Sequence, residues 1–468
     1  MMKKRILAVF ILSAIFILAF SAICWAVDIR VLLSNNSNNL TFSVLNGQYT
    51  LLDQSTYFPI INCQDGDKIT ITPMGNSYNV TINDEHLGSF GGPINLSAQD
   101  DDAIFTIKSV KYRGSLLISK GTSSLTAVNV LDIEKYLYGV IGKEIGYSAP
   151  FEAMKAQAVA SRSYVFANRK PSSAYDVTAT TTSQVYGGYS AELVTGGDHV
   201  VAAVDETEGE VIYYKNPVTK VKTVVAGFYH ANSGGHTENV ENIWGSATPS
   251  IPFMGVPSPE DATGSSYSWQ KTITAEEMVS LAKKYSGKDI GDFEELRIYK
   301  TNDLGVATAS GRVYKIEIVG TKATVSATRD SIRSALGGLR STLFDVSTAS
   351  GGTGSVWIKG SGGTIVENND ASTLRAMGAD GIIRQANDNR GSYFVISSTG
   401  KRQISPGTPS ATATGDTIVL NGKGYGHGVG MSQAGAIGMA KNGYDYQDIL
   451  VRYYMNNDDN GNFYLDNI

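Results

Sequence analysis

The stretch GKGYGHGVG at residues 422–430 places glycine at every second position. If this stretch is extended, its period of two leaves one face bare and gathers four side chains on the other: Lys423, Tyr425, His427 and Val429. Glycine weakens an ordinary strand, so the bare face indicates that something approaches the backbone closely. Either a neighbouring segment of chain or a ligand would satisfy that need. The stretch lacks the third glycine of the G-x-G-x-x-G pattern, which makes nucleotide binding a poor interpretation.

An apolar run from Ile6 to Val27 follows three basic residues near the start of the chain. Roughly 20 apolar residues span a bilayer, so residues 1–27 are predicted to be a signal peptide or a membrane anchor. The residues around Cys24 make a poor cleavage site, which favours a retained anchor. Under either interpretation, the rest of the chain is expected to lie outside the cytoplasm.

The charge of the chain excludes one class of partner. A net charge of −5 and an isoelectric point near 5.7 argue against nucleic acid, because phosphate contacts require a surplus of basic residues. Beyond the N-terminal segment the only cysteine is Cys63, so we expect neither an intrachain disulfide nor a cysteine zinc site.

Short apolar runs alternate with turn signals over residues 28–130, which predicts a succession of strands and hairpins. A helical region is predicted from about Ile133 to Arg169, and a capping box at Thr274–Glu277 opens another helix. Residues 295–425 again indicate strands, with one short helix at SIRSAL, and two helices close the chain. The predicted fold class is α+β: a β-rich, multi-lobed protein with a two-helix segment, C-terminal helices and an N-terminal membrane segment.

The predicted helical region contains an unexpected carboxylate. Four apolar residues follow the i, i+4, i+7, i+8 spacing of a buried helix face: Ile133, Leu137, Val140 and Ile141. The next position of this face is Glu144, which therefore points toward the core at the end of the helix. Partial burial and the negative end of the helix dipole would both raise the pKa of this carboxyl, as a general acid requires. The alternative is a frayed helix end from which Glu144 reaches solvent.

A second predicted helix begins near Pro150, which suits a first helical turn. Lys155 and Arg162 are seven positions apart and therefore share one face. Gln157 lies on an alanine-rich face, where a buried amide needs a hydrogen-bond partner. These side chains are either donors held toward a cleft or ordinary parts of a packed helix with solvated cations.

Four stretches of the sequence together resemble the SpoIID/LytB family, named for the stage II sporulation protein D. They are GKEIGYSAPFEAMKAQAVASRSY (142–164), TTTSQVYGG (180–188), FYHANSGGHTENVENIWG (228–245) and GKGYGHGVGMSQAGAIGMA (422–440). The resemblance covers roughly residues 110–468, and the combination of motifs is specific. It divides the chain into a signal peptide or anchor (1–27), a β-rich region (28–110), the first part of a SpoIID-like catalytic region (111–257), a β-rich second lobe (258–414) and the C-terminal part of the SpoIID-like core (415–468).

The resemblance implies a lytic transglycosylase that cleaves peptidoglycan glycan strands, stripped of stem peptides, between MurNAc and GlcNAc. The family's catalytic glutamate corresponds to Glu144, the residue that the helix pattern also singles out. In this chemistry one carboxyl protonates the glycosidic oxygen and then takes the proton of the sugar's 6-hydroxyl, which closes a 1,6-anhydro ring without water. A hydrolase would need a second carboxylate at a defined separation, and three candidates have no geometric support: Glu152, Glu238 and Glu241.

The resemblance also implies a set of glycan-binding residues. Those predicted to bind substrate are Lys155, Gln157, Arg162, Tyr164, Gln184, Tyr186, His230, Ser233, His236, Tyr425, His427, Ser432 and Gln433.

The chain departs from the family in two places. Members often have Met-Pro after the glutamate and Trp before the later proline, where this chain has Ile145-Gly146 and Ala149-Pro150. Some carry a cysteine and a histidine ahead of Q-V-Y that bind zinc, and the stretch DVTATTTSQVY lacks both. We therefore expect no metal and no cofactor, and a site made of His230, His236 and Glu241 is the weaker alternative.

The implied partners are peptidoglycan glycan strands, a cell-wall amidase, other sporulation proteins and, through the N-terminal segment, the membrane. The implied location is extracytoplasmic, either anchored to the membrane or secreted to the cell wall. A second function of a different class remains open, because the LytB branch resembles an amidase enhancer that need not cut glycan. The presence of Glu144 and of the polar residues on the following helix favours the enzyme.

Overall fold

The computed structural model describes residues 27–121, 124–245, 253–348, 409–455 and 461–468, and the backbone of six short strands between residues 356 and 404. The predicted membrane segment therefore lies outside the described residues, apart from Val27. Within the described part of the chain, no helix is long and apolar enough to cross a membrane. The chain divides into two compact units: Met1–Tyr147, Asn168–Val211 and Asp466–Ile468 form the first, and Ser148–Ala167 and Ile212–Leu465 form the second.

The first unit consists mainly of strands. They are β1 (Asp28–Ser37), β2 (Leu40–Asn46), β3 (Tyr49–Asp53), β4 (Phe58–Cys63), β5 (Lys68–Met74), β6 (Ser77–Ile82), β7 (Glu85–Phe90), β8 (Ile94–Ala98), β9 (Ile104–Ile107), β10 (Val110–Arg113), β11 (Ser115–Lys120), β12 (Leu125–Asp132) and β13 (Val177–Thr178). One sheet has the order β13-β1-β12-β11-β8-β3-β4, and another has the order β10-β9-β2-β5-β6-β7. Buried residues of both sheets form one hydrophobic cluster.

Alternation of side chains explains why these segments are strands. In β6, Tyr78, Val80 and Ile82 are buried, whereas the residues between them are partly exposed. Asn83 and Asp84 both have positive φ and join β6 to β7 in a two-residue hairpin, where asparagine and aspartate tolerate that conformation. The predicted succession of strands and hairpins is confirmed. The predicted domain boundary between residues 110 and 111 falls inside β10.

Four helices follow β12 along the chain: α1 (Ile133–Tyr138), α2 (Ile141–Ile145), α3 (Phe151–Asn168) and α4 (Gly197–Asp205). Asp132 caps α1, since its side chain accepts hydrogen bonds from the backbone N–H groups of Glu134 and Lys135. The sequence predicted two helices over residues 133–169, and the structure has three, because the first is broken after Tyr138.

The second unit contains α3, apart from its last residue, and most of the remaining elements. Its further helices are α5 (Val240–Trp244), α6 (Ala275–Ser286), α7 (Ser331–Ala335), α8 (Gln433–Lys441) and α9 (Tyr446–Leu450), and α9 continues into a π-helical turn at Val451–Met455. The capping box is confirmed, because the Thr274 hydroxyl accepts the Glu277 N–H at 3.2 Å. The short helix at SIRSAL and the two C-terminal helices are confirmed as well.

The later strands are β14 (Glu210–Lys215), β15 (Lys222–Val224), β16 (Tyr229–His230), β17 (Ser268–Thr274), β18 (Phe293–Tyr299), β19 (Lys315–Gly320), β20 (Thr324–Thr328), β21 (Phe344–Thr348), β22 (Val356–Lys359), β23 (Ile365–Asn368), β24 (Arg375–Met377), β25 (Ile383–Gln385), β26 (Tyr393–Ser397), β27 (Gly400–Ile404), β28 (Ala411–Thr414), β29 (Thr417–Lys423), β30 (Met431–Ser432) and β31 (Phe463–Asn467). Sheets β17-β29-β21 and β20-β19-β18-β28 carry the core of the second unit. Met278 and Ala282 of α6 and Ile332 of α7 are buried in that core. The α+β class that the sequence predicted is therefore observed.

Candidate active site

Glu144 lies in the last turn of α2 and is partly buried. The four residues of the predicted helix face are almost fully buried: Ile133, Leu137, Val140 and Ile141. The prediction of one continuous helix is wrong, because Gly139 ends α1. A Cβ atom on Gly139 would lie 2.5 Å from the ring of Tyr186, so this glycine admits the ring where a larger residue would exclude it. Glu144 remains partly buried despite the break.

The backbone of the SQVYGG segment (residues 183–188) holds the carboxylate. The Val185 N–H donates a hydrogen bond of 2.6 Å to Glu144 Oε1. This bond stabilises the ionised carboxylate, whereas partial burial favours the protonated form. The predicted rise of the Glu144 pKa therefore depends on which effect is larger and stays a prediction.

Two buried side chains fix the position of Val185. Gln184 is fully buried, and its Oε1 accepts a hydrogen bond of 3.0 Å from the Tyr136 hydroxyl. The Tyr186 hydroxyl donates to Asn129 Oδ1 at 2.9 Å, and burial raises the Tyr186 pKa well above its ordinary value. A direct sugar contact by Gln184 or Tyr186 would have to disrupt these bonds, so the structure gives both side chains a positioning role. Sequence reasoning missed Asn129 and Tyr136, which carry no motif.

Helix α3 holds four of the predicted substrate residues in the second unit. Lys155 Nζ lies 3.1 Å from Glu152 Oε1 and 4.5 Å from the centre of the Tyr446 ring. Glu152 Oε2 also accepts the Tyr446 N–H at 2.9 Å, so this candidate second carboxylate joins α3 to the start of α9.

The amide of Gln157 has the partner that the sequence required. Gln157 is fully buried, donates to Ser161 Oγ at 3.0 Å and accepts from Gln433 Nε2 at 3.3 Å. Arg162, on the same helix, is also fully buried. Tyr164 contacts Phe228 edge to face, with ring centres 6.1 Å apart. Gln157 and Gln433 thus connect two of the predicted motifs directly.

The glycine-rich stretch is not a regular strand. Strand β29 ends at Lys423, and the four glycines that follow it have φ between +71° and +113°: Gly424, Gly426, Gly428 and Gly430. The extended conformation that would place four side chains on one face is therefore not adopted beyond β29. Glycine adopts this backbone conformation without the penalty that other residues incur.

The bare face of the stretch is covered by the protein itself. A Cβ atom would lie 2.1 Å from the Trp269 ring at Gly422, 2.5 Å from the Arg312 guanidinium at Gly428 and 2.1 Å from the Phe228 carbonyl oxygen at Gly430. Of the two interpretations of the glycine pattern, close packing by neighbouring chain is the one observed.

His427 is held as one neutral tautomer. Its Nδ1 accepts the Val429 N–H at 3.1 Å, so Nε2 carries the proton and donates to the Tyr229 carbonyl oxygen at 3.0 Å. Burial of the ring lowers the His427 pKa to about 4. The ring centre lies 5.0 Å from that of Trp244. His427 is therefore an uncharged, rigidly oriented group near neutral pH.

His230 packs beside it, with ring centres 5.3 Å apart. His230 Nδ1 donates to the Val429 carbonyl oxygen at 3.2 Å, which leaves Nε2 as an acceptor. That Nε2 atom is buried and has no hydrogen-bond partner among the described residues. Burial lowers the His230 pKa well below its ordinary value, so this ring too is neutral and able to accept one hydrogen bond.

Asp261 is a buried carboxylate that joins two of the motifs. Its oxygens accept hydrogen bonds from the Ser233 N–H at 2.9 Å, from the Ser233 hydroxyl, and from the Ser432 hydroxyl at 2.6 Å. The Gly235 N–H and the Ser258 hydroxyl also donate to it. Ser233 and Ser432, both predicted to bind substrate, are fully buried and use their hydroxyls here. Sequence reasoning missed Asp261, which stands outside the recognised motifs.

Arg312 lies under the same loops. It is almost fully buried, and its Nη2 donates to the Ser233 carbonyl oxygen at 3.0 Å. Burial lowers its pKa to about 10. Glu238, another candidate second carboxylate, accepts from the Ala309 and Ser310 N–H groups and is buried as well. Both residues stabilise the loops that carry the site.

Comparison with known proteins identifies part of the chain. Residues 121–214, which include Glu144 and the SQVYGG segment, match the SpoIID family, described as Stage II sporulation protein. The chain carries a SpoIID domain. A further match, over residues 257–363, is to a family described as Domain of unknown function (DUF8618). The resemblance drawn from the sequence motifs is thus confirmed.

Relatives extend the similarity beyond the SpoIID domain. An uncharacterised protein of Brachyspira hyodysenteriae is 27% identical over 395 residues, which is 82% of this chain and 80% of the relative. The stage II sporulation protein D of Bacillus subtilis is 26% identical over 342 residues, 70% of this chain and 74% of that protein. The amidase enhancer of Bacillus subtilis is 27% identical over 345 residues, 68% of this chain and 39% of the enhancer. The chain therefore spans about two fifths of the enhancer's length.

Glu144 and the SQVYGG segment lie in the first unit, whereas most of the other predicted residues lie in the second unit. His236 is partly exposed, and its Nδ1 lies 2.7 Å from the Thr237 carbonyl oxygen. Tyr425 is 46% exposed. In the described part of the chain, no group of three metal-binding side chains is placed to hold an ion, so the alternative site of His230, His236 and Glu241 is not formed.

Proposed function

We propose that this chain is a peptidoglycan lytic transglycosylase that cleaves glycan strands, freed of stem peptides, between MurNAc and GlcNAc. The observation that carries the proposal is the placement of Glu144, a partly buried carboxylate at the end of α2 that is held by a backbone N–H of the SQVYGG segment. The match of this segment to the SpoIID family supports the same assignment.

The proposed mechanism uses one carboxyl group twice. Glu144, protonated, donates its proton to the glycosidic oxygen as the bond to C1 of the muramic acid breaks, and the GlcNAc end leaves with a 4-hydroxyl. The Glu144 carboxylate then takes the proton of the 6-hydroxyl, and O6 bonds to C1 to form the 1,6-anhydro ring. Water is not consumed, so a second carboxylate is not required, which fits the structural use of Glu152 and Glu238.

The remaining groups would hold the sugar. His427 uses both ring nitrogens within the protein and orients the neighbouring backbone, whereas the neutral His230 ring keeps Nε2 as an acceptor for a sugar hydroxyl. A polar group held in place in advance favours the transition state. We further propose a role in sporulation or cell-wall remodelling outside the cytoplasm, since two of the relatives are named for sporulation and for amidase enhancement.

Analysis of the products tests the proposal. Purified protein is incubated with peptide-free glycan strands, and the ends of the products are analysed by mass spectrometry. We expect 1,6-anhydromuramic ends, which weigh 18 Da less than the free reducing ends that hydrolysis would produce. Products with free reducing ends would contradict the transglycosylase mechanism while keeping the glycan as substrate.

The second candidate is a peptidoglycan-binding amidase enhancer that cuts nothing. The relative named as an amidase enhancer, aligned over 68% of this chain, favours it. The same protein is therefore added to a cell-wall amidase acting on intact peptidoglycan. Stimulation that persists in the Glu144→Gln variant, with no glycan cleavage by either protein, would establish the enhancer in place of the enzyme.

A further inference from the structure

A cleft of about 320 Å³ opens on the second unit, between the loop that follows α7 and the glycine-rich stretch. Its walls include Asp330, Arg333, Gly338, Arg340 and Tyr425. The mechanism above gives no role to the two arginines. The cleft is cationic, with two guanidinium groups and one carboxylate, on a chain whose net charge is −5.

Arg333 lies in α7 and is oriented by the loop that follows this helix. Its Nε donates to the Leu339 carbonyl oxygen at 3.0 Å, and its Nη1 lies 3.4 Å from each oxygen of Asp330. The distances to Asp330 are long for charge-assisted hydrogen bonds, which are usually about 2.7–2.9 Å. Arg333 is therefore fixed in direction but only loosely neutralised.

Arg340 is exposed, and its side chain makes no hydrogen bond or ion pair with another described residue. Its guanidinium carbon lies 5.9 Å from the centre of the Tyr425 ring. The Arg340 carbonyl oxygen accepts the Gly426 N–H at 2.9 Å, which ties the arginine loop to the stretch that carries Tyr425. This backbone hydrogen bond thus fixes the segments that carry the Arg340 guanidinium and the Tyr425 ring relative to each other.

These groups define the chemistry of a ligand. Two guanidinium groups at one cleft favour an anion, and the planar fork of arginine matches a carboxylate in a bidentate arrangement. The exposed face of Tyr425 offers an apolar platform suited to the flat side of a ring. A sugar that bears a carboxylate satisfies both features at once, whereas a neutral sugar would leave the arginines unused.

We propose that this cleft binds a carboxylate-bearing sugar, with the carboxylate at Arg333 and Arg340 and the sugar ring on Tyr425. This assignment rests on the proposed function, because in a peptide-free glycan strand the carboxylate is the lactyl group that removal of the stem peptide exposes on muramic acid. The cleft would then recognise strands from which the peptides have been removed.

The test measures binding rather than cleavage, in the Glu144→Gln background so that strands stay intact. Peptide-free strands are compared with the same strands after carbodiimide activation and borohydride reduction of their carboxyls to alcohols. We expect reduction to weaken binding about tenfold or more, since a hydrogen bond to a charged group contributes at least that factor. Arg340→Ala should weaken binding of native strands by a similar factor and leave binding of reduced strands unchanged.

Arg297→Ala is the matched control. Arg297 is a partly exposed arginine of the same unit that pairs with Glu295 and Glu317 and does not line the cleft. Arg297→Ala should leave the affinity for native and for reduced strands unchanged. The affinity of Arg340→Lys for native strands should fall between those of the parent and of Arg340→Ala. Equal binding by Arg340→Ala and its parent, or an equal loss for native and reduced strands, would overturn the proposal.

Two further results separate this inference from others. In the first, a phosphate-bearing wall polymer competes with glycan strands for binding, and the competition is lost in Arg340→Ala. If reduction of the sugar carboxylates then has no effect on strand binding, the cleft binds phosphate and the sugar assignment is overturned. Failure of the protein with intact Glu144 to cleave either strand would contradict the transglycosylase proposal, and the binding comparison would still decide the role of the cleft.

Discussion

Each of the two units holds a carboxylate that accepts backbone N–H groups, and the surroundings of the two carboxylates differ. Glu144, in the first unit, is partly exposed and accepts the Val185 N–H. Asp261, in the second, is fully buried and accepts hydrogen bonds from two backbone N–H groups and three hydroxyls. A carboxylate that exchanges protons with a substrate must be reachable, whereas one that fixes loops is best buried and saturated.

The comparison shows that burial alone does not identify a reactive group. Asp261 is the more deeply buried of the two, yet its hydrogen bonds commit it to the Ser233 and Ser432 loops. The Glu144 carboxylate is partly exposed to solvent, and the Val185 N–H positions it. Reactivity is therefore expected where positioning and access coincide.

The largest effect that tests this comparison is on catalysis by Glu144→Gln. Glutamine preserves the shape of the side chain but can neither give nor take the proton, so cleavage should be lost while glycan binding is largely kept. General acid catalysis contributes about 10²–10⁴ in rate, and the loss should be at least this large because the group acts in both steps. Rates of release of 1,6-anhydro products and binding to peptide-free strands give the two readouts. Undiminished cleavage would remove Glu144 from the mechanism.

The second effect is on stability, through Asp261→Ala. Four buried donors and the partly buried Gly235 N–H would lose their acceptor. Each unsatisfied buried donor costs about 1–3 kcal/mol, so the second unit should lose several kcal/mol of unfolding free energy in urea. Asp289→Ala is the control, because Asp289 pairs with Lys322 at an exposed site and its removal should change little. A small loss in Asp261→Ala would contradict the structural role.

The sequence predicted the position of Glu144 but not the residues that hold the surrounding loops in place. Helix periodicity identified Glu144, since a buried face with one carboxylate violates an otherwise regular pattern. Asp261 and Asn129 gave no such signal, because their burial results from contacts with residues far away in the chain, Ser432 and Tyr186 respectively. The close approach of the Tyr186 ring to Gly139 was missed for the same reason, because the two residues are far apart in the chain.

The third effect is a pH dependence that the neutral histidines impose. An unfolded histidine takes a proton near pH 6.5, whereas His427 in the folded protein does so only near pH 4. Between these values the unfolded state binds more protons, so stability is fully present above about pH 6.5 and falls as the pH drops toward 4, by up to about 1.4 kcal/mol per pH unit.

Urea unfolding across this range measures that dependence. The stability difference between the wild type and His427→Gln should shrink as the pH falls from 6.5 to 4. His199→Gln, at an exposed position on α4, should give a curve parallel to the wild type. A difference that stays constant with pH would show that His427 titrates normally.

The fourth effect isolates the packing of the glycine-rich stretch. Gly428 and Gly443 have nearly the same φ, +87° and +89°, but a Cβ atom would lie 2.5 Å from the Arg312 guanidinium at Gly428 and meet nothing within 4 Å at Gly443. Gly443→Ala should cost about 1 kcal/mol from backbone strain. Gly428→Ala should cost about 1–3 kcal/mol more, because Arg312 is held by the Ser233 carbonyl oxygen. Equal losses in urea unfolding would mean that Arg312 yields freely.

The smallest effect concerns the support behind Glu144. Tyr136→Phe removes the hydroxyl that donates to Gln184 and should cost about 1 kcal/mol of stability. Because Gln184 precedes the Val185 N–H that holds Glu144, the turnover number should fall several-fold while the Michaelis constant for peptide-free strands changes little. Tyr138→Phe, two residues along α1, removes a hydroxyl that binds Asp205 instead and should leave turnover unchanged. If both variants slow turnover alike, the effect comes from a general disturbance of α1. The hydrogen bond between Tyr136 and Gln184 would then have no specific role in positioning Glu144.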